Sequence, residues 1–404
     1  MRRLILALLV ISVVVLGACA APSAPPAETP TPTPPPTPIG PETVTFPDGN
    51  LEAAVRDALG KPVAEKITAT ELARLTTLCA GNSDVTDISC LEYCTSLTEL
   101  ALSGNQISDI SPLSYLTNLT SLSLSGVQIS DISSLSFLTN LTKLLLGSNQ
   151  ISDVSPLSSL TNLTELYIYR NQIVDLSPLS SLTNLTTIDL RHNQISDISP
   201  LSPLTNLAAL YLGRNQISDI SPLSSLTNLT SLDLDGNQIS DISLLSSLTN
   251  LTELSLIGSQ ISDISSLSSL TNLTVLFIDG NQISDISPLS SLTNLTMLYL
   301  DGNQISDISP LSPLTNLFWL SLSWNQISDI SLLSSLINLM WLDLSGNKIG
   351  DISPLVENHG LGSGDDLWLK GNNLDLREGS EAMENIRLLE GRGVRVHLHD
   401  EPAR

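Results

Sequence analysis

Residues 215–236 read NQISDISPLSSLTNLTSLDLDG, and this 22-residue unit returns almost unchanged along most of the chain. Its opening slot falls at Ser83, Asn105, Val127, Asn149, Asn171, Asn193, Asn215, Asn237, Ser259, Asn281, Asn303, Asn325 and Asn347 with no change of register. A fourteenth slot, Asn372, comes 25 residues after the last, because an insertion around His359-Gly360-Leu361-Gly362 lengthens that coil. A chain of 404 residues exceeds what one conventional core sustains, whereas identical units can stack without limit, each burying its apolar face on the next.

Each position in the unit has a physical job. In Leu97-Thr98-Glu99-Leu100-Ala101-Leu102 the alternation marks a short strand that points Leu100 and Leu102 inward and leaves positions 99, 101 and 103 outward. Successive strands are expected to pair in parallel about 4.8 Å apart, giving a sheet roughly 60 Å long. The Asn after the strand falls where the chain turns inward, and its amide can donate and accept at once, satisfying backbone groups left open by the turn. Val127 cannot do this and Ser259 only in part, so both coils are expected to be weak points. Ile107, Ile110, Leu113, Leu116 and Leu119 suit a 3₁₀ or irregular return on the convex side, which Pro112 can open. An Asp recurs in every unit from Asp87 to Asp351; it reads as a cap for each convex turn, with a calcium-holding ladder as the alternative.

The spacing L-x-x-L-x-L-x-x-N at this period is the leucine-rich repeat signature, so an α/β solenoid is expected, with a parallel concave sheet and a 3₁₀ or irregular convex side. The repeats span 78–372, after a helical cap at 47–77 and before a helix-strand cap at 373–404. In the first cap, Asp48 and Asn50 can open a helix carrying Leu51, Ala54, Val55, Ala58 and Leu59 on one face and ended by Gly60. Thr68-Ala69-Thr70-Glu71 is a capping box for a second helix through Leu72 and Leu75. At the other end, Glu378 to Leu389 reads as a helix and Gly391 to Val396 as a closing strand. The repeat, with its I-x-D-I-x-P-L-x-x-L continuation, and the preceding FPDGNLEAAVRDALGKP together resemble the internalin-type leucine-rich repeat proteins of bacterial surfaces. That resemblance implies binding of a protein partner on the concave sheet. It is expected to stop at the repeats, without the immunoglobulin-like module and wall-sorting signal of the best-known members.

Before the cap, Arg2 and Arg3 precede an apolar run from Leu4 to Leu16, the layout of a secretory signal over residues 1–18. It closes on Leu16-Gly17-Ala18-Cys19, which resembles the lipobox of bacterial lipoproteins and would leave Cys19 lipidated, hence an extracytoplasmic protein anchored to a bacterial membrane by lipid. Residues 19–46 form a stalk: the Pro/Thr/Ala run favours polyproline II and reaches on the order of 80 Å.

Because the repeats are near copies, the columns that vary are those free of fold duty. From Leu97 to Gly346 the cations are Lys143, Arg170, Arg191 and Arg214, all in outward strand positions or just before the Asn slot, on consecutive coils. Acids outside the Asp ladder share those columns and include Asp189, Asp233, Asp235, Asp279, Asp301 and Asp343. So do Tyr167, Tyr169, Tyr211, Phe277, Tyr299, Trp319, Trp324, Trp341 and Trp368, the rigid residue types that interfaces favour. Two exposed patches are expected: Tyr167, Tyr169, Arg170, Arg191, His192, Tyr211 and Arg214; and Asp279, Tyr299, Asp301, Trp319, Trp324, Trp341 and Asp343. A protein or peptide would use both. The alternatives are a glycan stacked on the Trp group beside carboxylates, and an envelope scaffold without a ligand.

A net charge of −24 argues against nucleic acid. One His in the regular repeats and no Cys after Cys94 argue against an enzyme, and no cofactor or metal is expected. His397 and His399 beside Asp400 read as a surface strand. Cys94 replaces a core Leu, and a disulfide among Cys79, Cys90 and Cys94 is left open, as is the oligomeric state. The sequons at Asn118-Leu119-Thr120 and seven equivalents read as products of the repeat.

Overall fold

The computed structural model describes residues 43–399. The signal segment, Cys19, most of the Pro-rich run and Asp400 lie outside the described residues. Fifteen parallel strands of three residues each, from β1 (Thr77–Cys79) to β15 (Arg395–His397), pair in chain order to make one open sheet. Neighbours stand one repeat apart, as in Leu100 against Leu122. The insertion makes the step 25 residues between β13 (Trp341–Asp343) and β14 (Asp366–Trp368), so Asp343 lies against Trp368.

The central residue of each regular strand is buried together with the convex-side Ile and Leu, forming one continuous core. Each such Leu contributes on the order of 2 kcal/mol, and none is stable alone without the coils on either side. The convex return is a 3₁₀ turn, for example Ser221–Ser225 with its Pro in the first turn. In the lengthened coil an α-helix, Ser353–Glu357, takes its place. There Asn358 is wholly buried, and its amide donates to the carbonyls of Leu333 (2.7 Å) and Leu336 (3.1 Å).

Two polar columns lock the coils. The slot Asn acts as its chemistry requires: Asn193 Oδ1 accepts from Ile173 N at 3.0 Å, and its Nδ2 donates to the carbonyls of Ile168 (3.1 Å) and Leu190 (3.0 Å). Val127 can supply none of these bonds. Ser259 does less than expected: its hydroxyl is buried and without a partner among the described residues, too short to span the gap. The second column is the sequon Asn, whose amide donates to a Thr carbonyl in the preceding coil, as Asn162 does to Thr139 at 2.9 Å. The Asp ladder caps: in every coil from Asp87 to Asp351 the carboxylate accepts from the backbone N–H of the Ser two residues on, as Asp219 does from Ser221 at 2.8 Å.

At the N-terminus, Asp48 alone caps the helix Gly49–Leu59, accepting from Asn50 N and Leu51 N. Asn50 lies inside the helix, its amide turned to Asp84 O, and Ala58 is exposed. The second helix, Ala69–Leu72, opens on the Thr68/Glu71 capping box. The last helix runs Glu381–Gly391, later than expected, because the Ser380 hydroxyl accepts from Met383 N and fixes its start. No disulfide joins Cys79, Cys90 and Cys94; burial pushes the Cys90 thiol up to about 11 and the core Cys94 thiol up to about 12. Among the described residues no helix is long and apolar enough to cross a membrane.

Candidate functional site

Alternation along each three-residue strand sends two residues per coil to the concave side, and two more follow before the Asn slot. The second of these has positive φ in every coil from Gly104 to Gly371, because a left-handed residue is what swings the following Asn into the core. Most coils place Gly there. Ser148, Arg170, His192 and Arg214, on four consecutive coils, and Trp324 farther along hold the same conformation with a side chain (φ 59°, 51°, 54°, 59° and 54°).

The first patch is largely paired within itself. Lys143 meets Glu165 at 2.9 Å and lies 5.8 Å from the centre of the Tyr167 ring, whose hydroxyl donates to Glu165 at 3.2 Å. Burial and then Glu165 push the Tyr167 phenol up to about 12. Asp189 is only 1% exposed and grips Arg191 in a two-point pair (3.0 and 2.7 Å). The Arg191 guanidinium also sits 5.1 Å from the Tyr211 ring and 4.0 Å from Asp233. Tyr169 packs against Gly147, where a Cβ would stand 2.5 Å from its ring. Arg170 and Arg214 are exposed and, among the described residues, have no ion pair. Burial, with Arg214, Arg170 and Arg191 around it, holds the His192 imidazole below its usual range.

The second patch is corrected in two ways. Its rings are not separately exposed but form one ladder: Phe277 to Tyr299 at 4.7 Å, Tyr299 to Trp319 at 5.9 Å, Trp319 to Trp341 at 4.1 Å with planes 12° apart, then Trp341 to Trp368 at 4.8 Å. His397, the surface residue of the sequence reading, ends the ladder by stacking on Trp368 at 4.4 Å and meets Asp366 Oδ1 at 3.1 Å. The ladder changes column, since Trp319 and Trp341 precede their strand centres while the other four rings follow them. At the crossing, Ser321 lies beneath, 1% exposed. Trp324 stands apart on the left-handed rim, 68% exposed, one face against Gly346.

Acids flank the ladder. Asp235 accepts from Ser255 Oγ (2.5 Å) and Ile257 N (2.8 Å), Asp279 from Asp301 N (2.8 Å), and Asp301 from Ser321 Oγ and Ser323 N (both 2.6 Å). Asp343 accepts from Ser345 N at 2.8 Å. Burial, then the neighbouring Asp235, pushes Asp233 up to about 6; burial, then Asp301, pushes Asp279 up to about 7. Burial also raises Asp235 and Asp301. These acids were expected to be outward: Asp189 is instead buried, while Asp233, Asp235, Asp279, Asp301 and Asp343 stay on the concave side, half-buried by the side chains of adjacent coils. Sequence reading passed over Asp366 and took His397 for a plain surface-strand residue; both fall into the concave columns once the strand step through the insertion is known. Among the described residues no cluster of acids, His and Cys is suited to a metal ion.

This arrangement, a parallel sheet of short strands backed by 3₁₀ turns and presenting a varied hollow face, defines a leucine-rich repeat protein. The family pattern "Leucine Rich repeats (2 copies)" matches seven stretches between residues 73 and 313, and "Leucine Rich Repeat" matches residues 338–358. An internalin from Listeria monocytogenes is 37% identical, with a TM-score of 0.71 over 88% of this chain and 96% of its own. A leucine-rich repeat protein of Leptospira interrogans is 25% identical, with a TM-score of 0.73 over 82% and 86%. The leucine-rich repeat ectodomain of a plant membrane receptor kinase from Arabidopsis thaliana, in complex with Casparian strip integrity factor 2, is 25% identical with a TM-score of 0.68 over 82% of this chain and 42% of its own. No curated protein matches. The chain belongs to the leucine-rich repeat family and is of internalin type.

Proposed function

We propose that this protein is an extracytoplasmic binding protein, tethered through a lipidated Cys19 and its Pro-rich stalk, that holds a protein or peptide partner in its concave face. One observation carries the reading: the residues that differ between otherwise near-identical coils, rings and charges above all, are concentrated in the concave columns over consecutive coils, while the convex side repeats one cap. Tyr, Trp and Arg on a rigid surface give up little entropy when a partner covers them. The internalin likeness and the plant receptor complex support the same use of the fold.

The glycan reading required open ring faces for sugars to stack on. Trp319 and Trp341 cover each other's faces, so the ladder offers edges, which suit a packed polypeptide better. The test is a crosslinking pull-down from intact cells and extracts with wild-type protein, Tyr211→Ser and Trp341→Ala. Partner capture lost in both variants, with folding retained, supports the concave site; capture unchanged in both overturns it. Loss of membrane retention in Cys19→Ser tests the anchor.

A further inference from the structure

The left-handed column before the Asn slot is where the fold rewards Gly and penalises any side chain. Gly104 and Gly126 occupy it early, and Gly236, Gly258, Gly280 and Gly302 occupy it later. Between them Arg170, His192 and Arg214 take three coils in succession, with Ser148 just before. Successive coils stand about 4.8 Å apart at the sheet, so the row sets two guanidiniums two coil steps apart with an imidazole between. Unlike Arg191, which Asp189 neutralises, Arg170 and Arg214 are exposed and have no ion pair among the described residues, in a chain of net charge −24. Three strained cationic or polar side chains in line, of which Arg214 feels the charge of Asp235 but is held in no ion pair with it, are the mark of a surface shaped for something outside the molecule.

The next coils along the sheet reverse the sign. Asp233, Asp235, Asp279 and Asp301 lie there, with backbone and hydroxyl donors; Asp235 feels Arg191 and Arg214, whereas Asp279 and Asp301 have no cation of this chain in ion-pair contact among the described residues. A ligand of one sign, such as a sulfated glycan, satisfies the first zone and is repelled by the second. A polypeptide can carry both signs.

Resting on the concave reading above, we propose that Arg170, His192 and Arg214 form a seat for the carboxylates of an acidic segment in an extended polypeptide partner, whose basic segment continues over Asp235, Asp279 and Asp301. Arg170→Gly with Arg214→Gly tests this directly, because Gly is the residue other coils use and the fold accepts it. The probe is a fluorescent peptide with a block of glutamates followed by a block of lysines; a glutamate-only peptide and a heparin oligosaccharide serve as competitors. The double variant is expected to melt about 1–3 °C higher, as strain is released, and to bind the block peptide at least tenfold more weakly. Charge-retaining Arg170→Lys with Arg214→Lys should keep most of the binding. Unchanged peptide binding or an unchanged or lower melting temperature in the Gly variant overturns the proposal, as does a heparin oligosaccharide that binds the row as tightly as the peptide. If the Gly variant still captures the cellular partner while Tyr211→Ser and Trp341→Ala do not, this seat is wrong and the concave reading stands.

Discussion

At the scale of single residues, the slot Asn is the clearest case of chemistry read from sequence. A polar amide recurring where the chain turns inward must both donate and accept, and Asn193 does so toward Ile173, Ile168 and Leu190. Asn193→Ala should therefore cost about 2–4 kcal/mol, since it orphans buried backbone groups in two coils, and Val127→Asn should gain about 1 kcal/mol by restoring them; urea unfolding midpoints measure both. The concave acids were not legible in this way. Alternation says that Asp279 points out of the core, but not that the neighbouring strands' side chains half-bury it. Its carboxyl is raised to about 7 against about 3.9 in an unfolded chain. Between those values the folded state holds a proton that the unfolded state has lost, so this group's contribution to stability declines as pH rises from about 4 to about 7 and then levels. Asp279→Asn keeps the acceptor for Asp301 N and removes the titration. The variant should be more stable than wild type at pH 8 and indistinguishable at pH 4, by thermal melts at both; equal melts at pH 8 would show that burial is not what raises this group.

At the scale of elements, strands and convex turns follow from the repeat, because each coil is a short local pattern copied many times, and the first cap follows from its own helix signals at Asp48 and Thr68/Glu71. Boundaries slipped where one side chain decided them: Ser380 starts the last helix, and Asp48 without Asn50 caps the first. The ring ladder is a different kind of miss. Sequence places Trp319, Trp341 and Trp368 in outward columns, but whether such rings splay or stack depends on the strand step, and the 25-residue step brings Trp368 beside Trp341. Stacked half-buried rings stabilise the C-terminal coils as well as facing a partner. Trp341→Ala should remove the exciton couplet that two indoles 4.1 Å apart give in circular dichroism. It should also cost about 2 kcal/mol, less than a fully buried Trp, with the loss confined to the last coils in hydrogen exchange. A couplet that survives in Trp341→Ala would mean that the stack does not form in solution.

At the scale of the whole molecule, a charge of −24 has to be reconciled with a fold that stacks one Asp per coil on its convex face. Those carboxylates stand roughly 5 Å apart, well inside a Debye length of about 8 Å at physiological salt, so they repel one another. Each is also tied to the amide of the Ser two residues on, which holds Asp131, Asp241 and Asp285, among others, below the usual carboxylate range. Local capping thus keeps charged a row that mutual repulsion would tend to protonate. If capping is the ladder's whole job, any cation that screens it should help the fold to a degree set by ionic strength alone. If the ladder holds calcium, that ion should act at concentrations far too low to screen. Thermal melts in sodium chloride should therefore rise with salt, and calcium chloride or magnesium chloride at matched ionic strength should give rises close to one another. A chelator added at constant ionic strength should leave the melting temperature unmoved, whereas a shift of several degrees with micromolar calcium and none with magnesium would restore the metal reading of the ladder.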